Sequence, residues 1–292
     1  FFARSDDFFN LIWVPLCSPN HRLRLSAASS LSCALSCLKN RTHQLQWFCS
    51  IYEQMLKGLA ATNDAVDKCH GSLLALKVML KHTSDFMLPR FRQVCKPVIA
   101  LRDNPNKALR SAMINLLPEL AMFSPNAFAR SYLNEAVSML IKDSEDEDLG
   151  PDTLSSIGRL CIAVGTHLVY RIPELVNVVH RALSTANRRR ERVENAKGRA
   201  HRAKADGIMS GLAGFLFGWS GEKARERAKT LDGVEEEDVG GDTAQYPADM
   251  CGRREALACV ADMVEGLGPP FHDHVIGLLD AMLTGGLSPE LI

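Results

Sequence analysis

The chain has 292 residues, 46% of them hydrophobic and 7% aromatic, and its 34 Lys and Arg balance its 34 Asp and Glu. That supplies apolar material for a continuous core, and the charge balance leaves no overall field to favour nucleic acid or an anionic membrane. There is no signal peptide and no apolar run of membrane-spanning length.

In chain order, apolar periodicity predicts pairs of helices with short joints. Residues 8–16 and 23–38 make the first pair. Residues 45–59 follow as an amphipathic helix whose stripe is Trp47, Phe48, Ile51, Tyr52 and Met55. Residues 68–81 and 88–101 come next, with Pro97 late enough to kink or end the second. Residues 109–122 carry Pro118 one turn from their end, and 127–141 are entered through Ser124-Pro125-Asn126. Residues 153–164 and 173–183 form the last pair of this run.

These elements repeat. Leu31, Leu74, Leu117 and Leu160 are each 43 residues apart. Ser18-Pro19-Asn20 and Asn104-Pro105-Asn106 stand two periods apart, and each is followed by Leu-Arg (Leu23-Arg24 and Leu109-Arg110). The prolines suit the turn or first helical position, and Leu23 and Leu109 fall on the predicted inner face. The copies around Leu74 and Leu160 are more degenerate. A fixed period of about 40–47 residues signals two-helix repeats of the HEAT or armadillo kind, which bury their apolar faces only by stacking. The fold expected is therefore an all-α solenoid.

The period fails between 184 and 250. If Val260 takes the place of Leu160, the interval is 100 residues rather than 43. Residues 188–229 carry twelve Lys or Arg against five Asp or Glu, and 232–242 carry six acids and no base. Charge blocks with few core residues read as a disordered or transiently helical insertion. The organisation expected is solenoid over 1–183, insertion over 184–250, and solenoid again over 251–292. At the centre of the insertion, 207–219 is apolar and glycine-rich between basic flanks. It is a candidate for peripheral membrane contact or for a partner groove, against the plainer reading of an inert insertion. Arg188 to Lys204 could track phosphates or serve as a nuclear localisation signal, but acids interrupt it and no aromatics are interleaved for stacking.

No phosphate loop, nucleophile elbow or zinc-protease motif is present. Cys33 and Cys37 share a helix face, yet buried free thiols explain most of the nine cysteines better than a metal does. His70 reads as a packed residue rather than a catalytic one. His272 and His274 flank Asp273 at a spacing that does not place them together on a helix. The acidic run 143–148 lacks calcium-loop spacing and reads as a surface joint. No catalytic, cofactor-binding or metal-binding residue is assigned. The chain opens on Phe1-Phe2 and stops at a turn, Ser288-Pro289, that leads toward another helix, so it reads as part of a longer polypeptide.

One stretch is more specific than a generic repeat. Phe91-Arg92-Gln93-Val94-Cys95, followed by Asn115-Leu116-Leu117-Pro118-Glu119-Leu120 through Ala127-Phe128, resembles the amino-terminal HEAT region of the target of rapamycin (TOR) kinases. The likeness continues at Ile172-Pro173-Glu174-Leu175 and at Leu283-Thr284-Gly285-Gly286-Leu287, and it covers nearly everything except about 184–250. It implies a large serine/threonine protein kinase whose solenoid docks partners and whose catalytic domain, using ATP and magnesium, lies outside these residues. It also implies TOR-complex adaptor subunits and self-association as protein partners, and a cytoplasmic location, with nuclear or endomembrane-peripheral pools left open. A karyopherin-like or phosphatase-scaffold HEAT protein without kinase activity is the alternative.

Overall fold

The computed structural model describes residues 11–37, 41–60, 65–216 and 248–284, and within these the chain is helical, with no strand. Helix α1 (Trp13–Leu16) is a single turn, α2 spans His21–Cys37 and α3 spans Arg41–Leu59. Helix α4 (Val66–His82) leads through the short α5 (Ser84–Met87) and a 3₁₀ turn into α6 (Phe91–Ala100). Helix α7 is Lys107–Phe123, α8 Pro125–Ser131, α9 Leu133–Asp143 and α10 Gly150–Val164. Helix α11 (Ile172–Leu216), α12 (Ala248–Leu267) and α13 (Pro269–Leu283) complete the chain.

Two layers form. Helices α2, α4, α7, α10 and α12 lie side by side in one, each packing on the next. The other holds α3, α6, α9, α11 and α13, and the pairs α3–α4, α6–α7, α9–α10 and α12–α13 join the layers. One buried apolar cluster runs the length of the stack. Polar contacts cross it at about one period: Tyr52 donates to Gln93, Ser156 to the Ile114 carbonyl at 2.9 Å, and Arg24 to Asp67 at 2.6 Å. Lys77 and Arg159 both pair with Glu119, at 3.2 and 2.7 Å. Burial alone would raise the Glu119 carboxyl, but the Arg159 hydrogen bond and the Lys77 charge hold it below its usual range. The architecture is the all-α solenoid expected from the period.

The two proline turns work through their asparagines. Asn20 Oδ1 accepts from the Arg22 amide at 3.0 Å, and Asn106 Oδ1 accepts from Ala108 and Leu109 at 2.9 and 3.2 Å. These are N-caps that satisfy first-turn donors of α2 and α7, so both helices begin just after the asparagine.

Four differences from the sequence reading have physical causes. Leu31, Leu117 and Leu160 are buried as expected, but Leu74 is only partly buried, and Leu73 beside it is 2% exposed. Leu74 borders a cleft between α2, α4 and α7. Leu23 is 46% exposed whereas its counterpart Leu109 is buried, because α7 lies between α4 and α10 while α2 has only α4 beside it in its layer. The helix expected over 127–141 is broken at Tyr132, whose φ of −131° ends α8. Helix α11 does not stop at Leu183, where the period stops: its buried stripe Leu175, Val178, Val179 and Leu183 continues to Ala186 and Asn187, and the helix runs on to Leu216. From 184 to 197 the sequence has no Gly or Pro and is rich in Ala, Arg and Glu, strong helix formers. The helix therefore persists where the loop reading began, and residues 217–247 lie outside the described residues.

Candidate docking surfaces

The first surface is a cleft of about 320 Å³ among α2, α4 and α7, lined by His21, Arg24, His70, Leu74, Lys77 and Asn115 among others. Its organiser is Arg24, whose Nη1 donates to the Ser18 carbonyl and to Asp67 Oδ1, both at 2.6 Å. Its Nε donates to His70 Nδ1 at 3.2 Å. That bond requires His70 Nδ1 to be an unprotonated acceptor, which places the imidazole proton on Nε2. Burial and then the charge of Arg24 push the His70 imidazole down to about 4.

The sign of the pH effect follows. Between the unperturbed 6.5 and about 4, the unfolded chain binds a proton at His70 that the folded chain refuses. The His70 contribution is present above that window and is lost as pH falls through it. Denaturation midpoints should therefore drop between pH 6.5 and 4, and the drop should be shallower in His70→Gln. His82 is also held low by burial and acts in the same direction, so the comparison is between the variant and the unaltered chain.

The second surface is a cleft of about 450 Å³ where the acidic joint 143–148 meets α11. Four of its acids are engaged by cations. Lys107 Nζ lies 3.1 Å from Asp146 and 2.5 Å from Asp148, and Arg110 lies 3.5 Å from Asp146. Glu145 pairs with Arg181 and Glu147 with Arg189, which ties the joint to the basic part of α11. Exposed pairs of this kind contribute little to stability, so their role is orientation. Among the described residues no three His, Cys, Asp or Glu side chains converge as a metal-binding group.

The thiols divide by helix face. Cys69, Cys95, Cys161 and Cys259 are buried, and burial pushes the Cys95 and Cys161 thiols up to about 12, which suits inert packing groups. Cys33, Cys37 and Cys49 are exposed, contrary to the reading of the thiols as mostly buried. On α2 the buried face is Arg24, Ala27, Ala28, Leu31 and Leu35, and Cys33 and Cys37 lie off it. His272 and His274 sit in the first turns of α13, and Phe86 and Met87 pack in the core from α5. The stretch 207–216 is the end of α11, while 217–219 lies outside the described residues. Among the described residues no helix is long and apolar enough to cross a membrane.

Three buried polar side chains had no role in the sequence reading. Arg24 is one. Arg253 donates to the Met282 carbonyl and Asn187 to the Ala281 carbonyl, both at 2.8 Å, so α11 and α12 grip the end of α13. The repeat register could have flagged two of them: with Val260 placed on Leu160, Arg24, Arg110 and Arg253 occupy one repeat position.

The fold defines a class, an α-solenoid of stacked helix pairs with open clefts. No family model matches the chain. Within that class it is similar to the serine/threonine-protein kinase TOR of rice, with 24% identity over 289 residues, and to that of Arabidopsis thaliana, with 22% over 288. Each alignment covers 98% of this chain and 9% of the relative. The tor1 kinase of Schizosaccharomyces pombe aligns at 25% identity over 64% of the chain and 8% of that protein. The chain thus spans about 9% of the length of these two curated relatives. The resemblance to TOR kinases first seen around Asn115–Phe128 holds along the chain.

Proposed function

We propose that the chain is a scaffold segment of a TOR-type serine/threonine protein kinase and offers docking surface for assembly of a kinase complex in nutrient and growth signalling. The observation that carries this reading is the similarity to plant TOR kinases over 98% of the chain, joined to a fold that consists of stacked helices and open clefts. On this reading the partners are adaptor subunits of the complex and further copies of the kinase. ATP and magnesium belong to a catalytic domain elsewhere in the parent polypeptide, which works in the cytoplasm.

Phosphoryl transfer needs a phosphate cradle and metal-holding acids, and none was assigned here. Isothermal titration of the purified chain with Mg–ATP should therefore give no saturable heat, whereas the polypeptide that contains it should bind ATP and phosphorylate a peptide. Removing residues 11–284 from that polypeptide should leave peptide phosphorylation largely intact and abolish co-purification of its adaptor. Saturable ATP binding by the chain alone, or adaptor binding that survives the deletion, overturns the reading.

A further inference from the structure

Beyond Asn187 none of the described side chains of α11 is buried, so the helix runs clear of the stack there. Thr185, Arg188, Arg192, Asn195 and Arg199 are exposed on it and follow one another in steps of three, four, three and four residues. At about 100° per residue they share an arc of about 80°. No acid and no apolar residue falls within that arc, and the exposed Glu191 stands about 40° outside it. Arg188, Arg192 and Arg199 make no hydrogen bond or ion pair among the described residues. At the foot of the stripe lies an open hollow of about 400 Å³, lined by Asn177, His180, Arg181, Ser184, Thr185 and Arg188, with no acid among them.

The steps decide what shape of partner fits. Measured along the axis from Arg188, Arg192 lies about 6 Å away and Arg199 about 16.5 Å away. A second α-helix laid alongside repeats those intervals, because alternating steps of three and four residues form the seam along which two helices run together. An extended chain places same-face side chains about 6.6 Å apart, and multiples of that spacing miss Arg199 by about 3 Å. The chemistry of the partner's seam follows from the arginines. An apolar seam would strip water from unpaired guanidinium groups, whereas a carboxylate accepts from the guanidinium fork. Helix α11 shows this choice where it still touches the stack, since Arg181 pairs with Glu145 and Arg189 with Glu147. No aromatic residue in the arc offers a nucleic-acid base a stacking face.

We propose that the stripe Arg188, Arg192 and Arg199 of α11 is a docking surface for an acidic α-helix of another protein, one whose Glu or Asp residues recur at the same three- and four-residue steps. The contact is electrostatic and lies at the surface, so it forms fast, weakens with salt, and selects its partner by the spacing of charge rather than by an apolar anchor. It stands on the geometry of α11 and holds whether or not the parent polypeptide is a kinase.

The test uses the full chain and two fluorescein-labelled helical peptides of one composition, rich in Ala and Gln and carrying the same number of Glu. In the first the Glu recur at alternating steps of three and four residues, and in the second they are spread evenly round the helix. By fluorescence anisotropy the first should bind about fivefold or more tightly than the second, since it alone can engage all three arginines at once. Its binding should fade in ~0.5 M salt and be lost from the chain carrying Arg188→Gln, Arg192→Gln and Arg199→Gln. Gln is a good helix former, and unchanged circular dichroism confirms that the variant is folded. With the same three positions changed to Glu, the chain should instead bind the counterpart peptide that has Lys in place of Glu. Equal binding of the two peptides, no binding of the first, or binding that survives the Gln substitutions overturns the proposal. A short DNA duplex is the remaining probe, as competitor in ~0.15 M salt. A duplex that displaces the first peptide less effectively than unlabelled peptide does supports the proposal, and one that displaces it more effectively assigns the stripe to nucleic acid and overturns it.

Discussion

Gly266→Val is expected to cost about 3 kcal/mol or more in chemical denaturation, because the new side chain has no rotamer that avoids neighbouring backbone. A Cβ at Gly266 would overlap the Cys161 carbonyl, and one at Gly165 would overlap the Gly266 carbonyl oxygen. Helices α10 and α12 thus touch backbone to backbone, and Gly158, whose Cβ would meet the Asp262 side chain, continues the seam one turn-pair earlier. This contact closes the solenoid across the 100-residue interval between Leu160 and Val260, so separating it exposes the core faces of both helices. The control is Gly277→Ala in α13, where a Cβ meets nothing within 4 Å. There the change should stabilise by about 0.5–1 kcal/mol, the ordinary gain of Ala over Gly in a helix. A loss below about 1 kcal/mol at Gly266 would mean that the helices can part freely, against the packing described.

That seam shows where sequence reading stops. The 43-residue period made the helix pairs and their stacking legible, since one apolar position per repeat suffices to reveal it. Even the resumption at Val260 could be placed by register. The glycines that let α10 and α12 approach were not legible, because their requirement exists only once residues a hundred apart are in contact. The Leu-Arg pairs after the two proline turns were visible, and the inward leucine holds at Leu109 but not at Leu23. Hydropathy favours Leu23 as the inward residue, yet Arg24 turns in, where the turn carbonyls, Asp67 and His70 supply the partners that a buried guanidinium needs. Helix α11 outran its predicted end for a different reason. Loss of the 43-residue period marks the end of repeat packing, while helix persistence depends on local propensity, and the two part company after Asn187. Among the candidate surfaces, the acidic joint 143–148 was recognisable as a joint, but its pairing with Arg181 and Arg189 depends on the three-dimensional course of α11.

A Leu→Ala series along the repeat should separate these levels. Leu117 is fully buried between neighbouring helices of its layer, so Leu117→Ala empties a site that can collapse only in part and should cost about 2–5 kcal/mol. Leu74 holds the same repeat position but borders the open cleft by His70 and Lys77. Its truncation removes less buried surface and lets the cleft wall relax, so Leu74→Ala should cost about 1 kcal/mol. Leu23, 46% exposed, should tolerate Ala within about 0.5 kcal/mol. The ranking is the informative outcome, read from denaturation midpoints at constant slope. If Leu23→Ala proved as costly as Leu117→Ala, Leu23 would be a core residue like its buried counterpart Leu109, and Arg24 could not occupy the inner face. If Leu74→Ala matched Leu117→Ala, the cleft among α2, α4 and α7 would be closed in solution, and only the surface along α11 would remain for docking.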